Sequence, residues 1–428
     1  MYESWEQEKY KASHDSLTGL LNRDQFYEDV HDMVNKYHDT TFYLICSNIK
    51  DFKFINEIFG MEKGNQVLIK QAKLMASNPS ERTICARLMN DRFALCLPRE
   101  EFDEKRVADS IKELQREFSG NSFHLHTYMG VYEIRDRDEA VSIMVDKANI
   151  AADTIKNNYD CCVAYYDEHL LEISIEQRRL LGEFEPALQN DEFVMYLQPQ
   201  VKRDGAAKGA EALVRWVHPS RGILTPYAFI DILENAGLIY KLDLYIWEKA
   251  AQKLAEWKEK GYGSYHISVN ISTKDFYIID IYETFTGLIN KYGIAASNLH
   301  LEITETTLMT DFEKNMNIIH KLQGVGFRVE IDDFGSGYSS LNMLKDISAD
   351  VLKIDMGFLR KSENEVKGQD ILESIITLAG KIGMDVITEG VETKKQLDML
   401  TMMGCHEFQG YYFSKPVPVS EFEEKYLV

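Results

Sequence analysis

The sequence predicts an α/β chain in two parts: a (β/α)8 TIM-like barrel in the second half, preceded by an α+β domain. Three observations carry this. The chain has 428 residues, more than one ordinary domain holds. After about residue 190, short apolar runs alternate regularly with helical stretches, the rhythm of an eight-stranded barrel, with a doubly wound open sheet as the alternative. Before that, the alternation is less regular and includes a hairpin, which is an α+β pattern.

The elements follow in order. In residues 1–168, "TFYLICSNI" reads as a buried strand, and "KGNQVLIKQAKLMAS" has apolar residues at helical spacing. "TICARL" and "RFALCLP" flank "MND" as a hairpin, "FHLHTYMGVYEI" is a further strand, and "AVSIMVDKANIAADTIK" is helical. Residues 169–190 form a connecting helix with an apolar stripe of Leu170, Leu171, Ile175, Leu180, Leu181, Phe184 and Leu188. Pro186 is expected to kink or restart it. Residues 191–428 carry strand candidates "FVMYLQPQV", "GAEALVRW", "YHISVNI", "LHLEIT", "FRVEID", "VLKID", "DVITEG" and "EFQGYYF". Helical stretches at 226–236, 242–259, 312–323, 368–382 and 393–403 separate them.

Composition narrows the function. A formal net charge of −21 argues against a basic face for polymeric DNA or RNA; a small phosphorylated ligand stays possible if metal ions offset the charge. Six cysteines without a CxxC pair suggest reduced thiols and a cytoplasmic setting. No run of about 18 apolar residues, the minimum for a membrane span, occurs. The chain therefore reads as cytoplasmic, either whole or as the cytoplasmic part of a longer membrane protein.

The candidate chemistry sits at strand ends of the second half. Glu211 lies inside "GAEALVRW", Asn270 ends "ISVN", Glu302 ends "LHLE" with Glu305 one turn on, and Asp332 and Asp333 end "VEIDD". Lys353 sits in "LKID", Glu389 ends "DVITE", and Gln409 closes "EFQG". Asp and Gly are favoured turn residues, and any single one of these carboxylates reads equally as a cap or turn. Their recurrence on strand after strand instead points to one oxygen-lined mouth, which suits hard Mg²⁺ or Mn²⁺ rather than zinc. Two such ions are the usual device for displacement at phosphorus. Lys353 could orient the attacking hydroxide or shield the transition state; a salt-bridged structural lysine is its other reading.

These residues carry a resemblance. "EALVRW" with "HPSRG", "SVNIS", "LEITE", "IDDFGSGYSSL", "LKID", "ITEGVET" and "QGYYFSKP", in that order, resemble the EAL family of cyclic di-GMP phosphodiesterases over about 190–420. The resemblance implies a barrel with one strand reversed that hydrolyses cyclic di-GMP to linear pGpG with Mg²⁺ or Mn²⁺, two ions in all. It implies Glu211, Asn270, Glu302, Asp332 and Glu389 as metal ligands, with Asp333 on the second ion. It also implies that Lys353 holds the attacking water and that Gln198, Arg215 and Gln409 touch substrate phosphate or base. Glu305 would position the "DDFGSGYSSL" loop, which in this family links the site to a dimer interface, so a homodimer is expected. The departures, "FIDILE" at 229–234 and His406 after "GC", touch no implied ligand.

The first half departs further from its own family. "HDSLTGLLNR" at 14–23 and "FKFINEIFGMEKGNQVL" at 52–68 resemble the GGDEF family of diguanylate cyclases, which condense two GTP molecules. Its signature loop reads "MNDRF". Met89 and Asn90 stand where bare backbone should admit the nucleotide, Arg92 replaces a metal-binding Glu, and Asn48 replaces a metal-binding Asp. The triphosphate contacts map to Asp153 and Asn157, the guanine-contacting Asn survives as Asn56 with Asn65 as its companion, and the "RxxD" motif maps onto "SERT" at 80–83. The resemblance therefore implies a regulatory or dimerising domain without cyclase activity, and an Asp beside a triphosphate also disfavours GTP binding.

Three classes follow: a metal-dependent phosphodiesterase, a non-catalytic cyclic di-GMP receptor, and a diguanylate cyclase. The filled ligand set favours the first over the second, and Arg92 and Asn48 disfavour the third. His124 and His126, spaced i, i+2, lack a third ligand in the sequence and read as structural. "GSG" at 335–337 has no dinucleotide-binding context, and Cys161–Cys162 reads as a buried pair.

Overall fold

A computed structural model describes residues 10–427 apart from 51, 78–79, 119–124, 157, 159–160, 335–346 and 356–364. His124, Asn157 and the "GSGYSSL" segment lie outside the described residues. The chain divides into two compact units, Met1–Arg178 and Arg179–Val428.

The first unit is a five-stranded sheet in the order β2-β3-β1-β4-β5. Its strands are β1 (Phe42–Ile49), β2 (Ile84–Met89), β3 (Arg92–Pro98), β4 (Thr127–Glu133) and β5 (Val163–Tyr165). All neighbours are antiparallel except β4 and β5. Successive side chains of a strand point to opposite faces, and β1 is apolar on both. Leu44 and Cys46 join a core with Phe26, Val30 and Met144, whereas Tyr43 and Ile45 join another with Leu97 and Ile111. Helices therefore cover both sides. The hairpin turn between β2 and β3 is Asn90-Asp91, with Asn90 in the left-handed region at φ 52°, as tight hairpins favour.

On β4, the helix Val141–Thr154 comes so close that a Cβ on Gly130 would lie 1.8 Å from Ala148 O and 2.4 Å from Ala152 N. Neither backbone atom can yield without moving the helix. Gly130→Ala should therefore destabilise this unit by about 3 kcal/mol, the upper range for overpacking. Urea unfolding checks this; an unchanged midpoint would show that the helix has slack.

In the second unit eight strands close on themselves: β6 (Phe193–Lys202), β7 (Ala207–His218), β9 (His266–Ile271), β10 (Leu299–Thr304), β11 (Val329–Phe334), β12 (Val351–Asp355), β13 (Asp385–Glu389) and β14 (Glu407–Phe408). Two short strands, β8 (Gly222–Leu224) on β7 and β15 (Val417–Pro418) on β6, lie outside the ring. From β7 to β14 neighbours are parallel, while β6 is antiparallel to both β7 and β14. The reason is local. Only residues 203–206 join β6 to β7, closed by Gly205 N–H donating to Lys202 O at 2.9 Å. A parallel crossover needs about a dozen residues or more, so this pair must form a hairpin.

Several expectations are revised. The helix Glu168–Gln189 does not restart at Pro186 but runs on as one element, and past the ring Asn190 N–H donates to Pro186 O at 3.0 Å. Within the second unit that helix buries Leu180, Phe184 and Ala187, and Phe184 packs edge-on against Phe193. "EFQGYYF" contributes only two strand residues, because Phe413 and Ser414 N–H turn back onto Gly410 O. The helix Ile281–Tyr292, capped by Asp280, was not foreseen between the third and fourth strand candidates.

Candidate functional site

Closure brings the strand-end carboxylates together around one lysine. Lys353, 1% exposed, sits in the third position of β12 and points into the barrel. Its ammonium pairs with Glu302 of β10, with Glu389 of β13 at 2.7 Å, with Glu211 of β7 at 3.4 Å and with Asp332 of β11 at 3.5 Å. Counted formally, four carboxylates against one ammonium give an excess of three negative charges in a buried site, an excess that the raised Glu302 and Glu389 carboxyls relieve by taking up protons when no cation is bound.

Amides complete the cluster. Asn270 Nδ2 donates to Glu211 Oε1 at 3.2 Å, and Gln409 Nε2 donates to Glu211 Oε2 at 2.5 Å. Gln409 Nε2 also lies 3.4 Å from Gln198 Oε1, which places Gln198 beside them. The electrostatics reflect crowding. Burial first, then Glu211, raises the Glu302 carboxyl well above its ordinary range, and burial with Asp332 and Glu211 pushes Glu389 up to about 8. Burial alone would lower the Lys353 ammonium, but Asp332, Glu211, Glu302 and Glu389 together drive it well above the usual lysine value.

The two aspartates part company. Asp332 faces Lys353, but the β11–β12 pairing shifts register between Ile331 and Phe334, and Asp333 takes φ 55°. This bulge turns Asp333 to the rim, where burial first and then Asp332 and Asp355 raise its carboxyl. Two other expected residues also stand apart from the lysine. Arg215 lies with its guanidinium 5.5 Å over the Tyr196 ring and donates to Val214 O at 2.8 Å. Glu305 opens the helix Glu305–Thr310 directly after β10, with Thr304 as its cap.

A cavity of about 500 Å³ opens over the cluster, lined by Gln198, Glu211, Tyr227, Asp355, Glu389 and Gln409 among others. Asp355 escaped the sequence reading, although it pairs in register with Glu389 and stands two residues beyond Lys353. The period of two along a strand was the signal that could have found it.

The site fits hard divalent cations by its chemistry. Among the described residues its donors are carboxylate and amide oxygens. Glu302 Oε2 and Gln409 Oε1 are buried without a hydrogen-bond partner among the described residues, and Asp332 Oδ1 has only its 3.5 Å approach to Lys353, a condition native proteins seldom tolerate. Oxygens of Glu211, Glu302 and Glu389 lie within 4.8 Å of one another.

The family model "EAL domain" matches residues 182–416. The chain belongs to the EAL domain family. In front of the EAL barrel, the model "Diguanylate cyclase, GGDEF domain" matches residues 12–160, so a GGDEF domain precedes the EAL domain. The solved structure "PaMucR Phosphodiesterase, c-di-GMP complex" is 33% identical with a TM-score of 0.54, covering 57% of this chain and 99% of that one. Over both domains, the "Bifunctional diguanylate cyclase/cyclic di-GMP phosphodiesterase MucR" of Pseudomonas aeruginosa is 30% identical across 96% of this chain. The "Cyclic di-GMP phosphodiesterase PdeR" of Escherichia coli is 27% identical across 97%. The chain spans 61% of MucR and 63% of PdeR.

In the GGDEF domain, Asn48 Nδ2 donates to Tyr128 Oη at 3.0 Å, and Met89 is exposed at the hairpin. Burial raises the carboxyls of Asp91 and Asp153, and the Arg92 guanidinium pulls both back. At Asp153 Lys156 acts in the same direction and ahead of Arg92. Ser80 Oγ and Arg82 Nη2, from the "SERT" segment, donate to Glu101 at 2.8 and 3.0 Å.

Among the described residues no helix is long and apolar enough to cross a membrane.

Proposed function

We propose that the EAL domain is a metal-dependent phosphodiesterase that hydrolyses cyclic di-GMP to linear pGpG, and that the GGDEF domain is a regulatory or dimerising element without cyclase activity. The observation that carries this reading is the convergence of Glu211, Glu302, Asp332 and Glu389 on buried Lys353, with oxygens of Glu211, Glu302 and Glu389 within 4.8 Å of one another. So costly a collection of like charges serves no packing purpose.

Glu211, Asn270, Glu302, Asp332 and Glu389 would hold Mg²⁺ or Mn²⁺, with Asp333 at the rim serving a second ion. When bound, the ions supply charge neutralisation at the phosphate oxygens and lower the pKa of the attacking water. Lys353 Nζ, already central in the cluster, donates to that water and offsets charge on the phosphorane-like transition state. Gln198 and Gln409 present amides to the phosphate at the cavity wall, and Arg215 meets phosphate or base from the rim. In the balance of the reaction, the water oxygen bonds to phosphorus and the P–O3′ bond breaks. The 3′ oxygen leaves with a proton, giving pGpG. Glu305 positions the loop that follows β11 and, through it, communicates with a second copy of the chain in a homodimer. The reaction belongs in the cytoplasm, where the cyclic dinucleotide is made.

On the other domain, Arg92 supplies to Asp91 and Asp153 the positive charge that metal-bound GTP would otherwise bring. Asn48 spends its amide on Tyr128, and Asp153 repels a triphosphate.

Purified protein is incubated with cyclic di-GMP and Mg²⁺ or Mn²⁺, and separately with GTP and Mg²⁺, and the products are chromatographed. The expected result is pGpG in the first case and no dinucleotide in the second. Substrate bound but unchanged under both metals would favour a receptor, and cyclic di-GMP made from GTP would overturn the assignment of the GGDEF domain.

A further inference from the structure

The other end of the barrel holds a second cluster that the mouth does not use. His266 opens β9, while His300 and Glu330 are the second residues of β10 and β11. All three are buried, and one ligand atom from each lies within 4.8 Å of the others. The two imidazoles stack at 3.8 Å with planes 4° apart. Gly209 of β7 makes room, since a Cβ there would lie 2.5 Å from the His266 ring.

Each ring has one nitrogen committed outward. Because Gln200 Oε1 and Ser297 O can only accept, His266 Nε2–H donates to the first at 2.7 Å and His300 Nε2–H to the second at 3.2 Å. This leaves both Nδ1 atoms uncommitted to Gln200 and Ser297, and because the parallel rings lie 3.8 Å apart, one ion reaches both only when the His266 ring turns out of the stack. His300 Nδ1 lies 2.6 Å from Glu330 Oε1, which also accepts from Ser268 Oγ at 3.0 Å. Glu330 Oε2, in a fully buried side chain, has no hydrogen-bond partner.

Imidazoles oriented by an outward hydrogen bond to oxygen, beside a hydrogen-bonded carboxylate with one free oxygen, are how proteins prepare metal ligands. We propose that His266, His300 and Glu330 form a second metal site on the barrel floor, selective for a Zn²⁺-class ion. Two nitrogens and a carboxylate suit such an ion and not the Mg²⁺ or Mn²⁺ of the mouth. A cavity of about 470 Å³ reaches the cluster and gives an entry path and an open fourth position. Its two cations, Lys208 and Arg328, are paired with Glu407 and Asp385. The ion takes the place of the proton between His300 Nδ1 and Glu330 Oε1, which leaves to solvent. The site stands independently of the phosphodiesterase reading.

The test uses the full chain, stripped with chelator, saturated with Mg²⁺ to fill the mouth and titrated with Zn²⁺ or Co²⁺ alone. One Zn²⁺ per chain should remain after desalting, and Co²⁺ should show the intense visible absorption of a four-coordinate, imidazole-bound ion. His300→Ala and Glu330→Gln should abolish both signals, whereas Glu211→Gln at the mouth should keep them. If His300→Ala does not fold, His266→Gln replaces it. A wild-type Co²⁺ spectrum typical of six oxygen ligands, or Zn²⁺ retention equal in wild type and floor variants, would overturn the proposal.

Discussion

Lys353→Ala is expected to lower kcat for cyclic di-GMP hydrolysis by at least about 10²–10³-fold, the usual loss when a transition-state donor is removed. Substrate binding in the presence of metal should survive, because the ligand carboxylates remain. The same change has a second effect, on the metal-free protein. Among the described residues, Lys353 is the single cation that Glu211, Glu302, Asp332 and Glu389 share. Removing one partner from a buried pair typically costs about 3–5 kcal/mol. Without metal the variant should therefore melt well below wild type, and Mg²⁺ or Mn²⁺ should recover most of the difference. Product chromatography and melting curves with and without metal read both effects. A near-wild-type rate would refute the proposed role, and a metal-independent stability loss would mean that the carboxylates do not hold ions.

Glu211→Ala should abolish turnover and, unlike the lysine change, weaken metal-dependent substrate binding as well. Glu211 pairs with Lys353 and accepts from both Asn270 and Gln409. Its loss removes a proposed metal ligand and takes an acceptor from the buried Gln409 amide and from the exposed Asn270 amide. Even residues that only support ligands cost about 10–100-fold in metal affinity when changed, so a ligand should cost at least the upper end of that range. Calorimetric titration of cyclic di-GMP with and without Mn²⁺ reads the coupling. Equal binding in Glu211→Ala and wild type would place the ions elsewhere.

Much of the barrel was legible because its signals are short. "LHLEIT" and "VLKID" coincide with β10 and β12 residue for residue, since a buried parallel strand is a brief apolar run that needs no partner to be recognised. The acids at the strand ends were legible for the same reason. Other features needed the fold. The reversed sense of β6 follows from a connection of four residues, which has meaning only once β6 and β7 are known to be neighbours. The period-two pattern would place Asp332 and Asp333 on opposite faces, but a bulge, not the pattern, fixed Asp333 at the rim. The helix did not restart at Pro186, which the sequence left open, whereas the helix Ile281–Tyr292 was missed although Asp280 and Gly293 mark both of its ends.

What the chain's residues determined by themselves is the inventory: two domains' worth of elements, an oxygen-only set of strand-end donors, and a GGDEF loop rewritten as "MNDRF". Only the folded barrel decided that Glu211 and Lys353, 142 positions apart, meet in one cage, or that His266 and His300 stack beneath it. Propensity and periodicity act over a few residues, whereas a site is made by ring closure, which joins strands whose separation along the chain carries no trace of their distance in space.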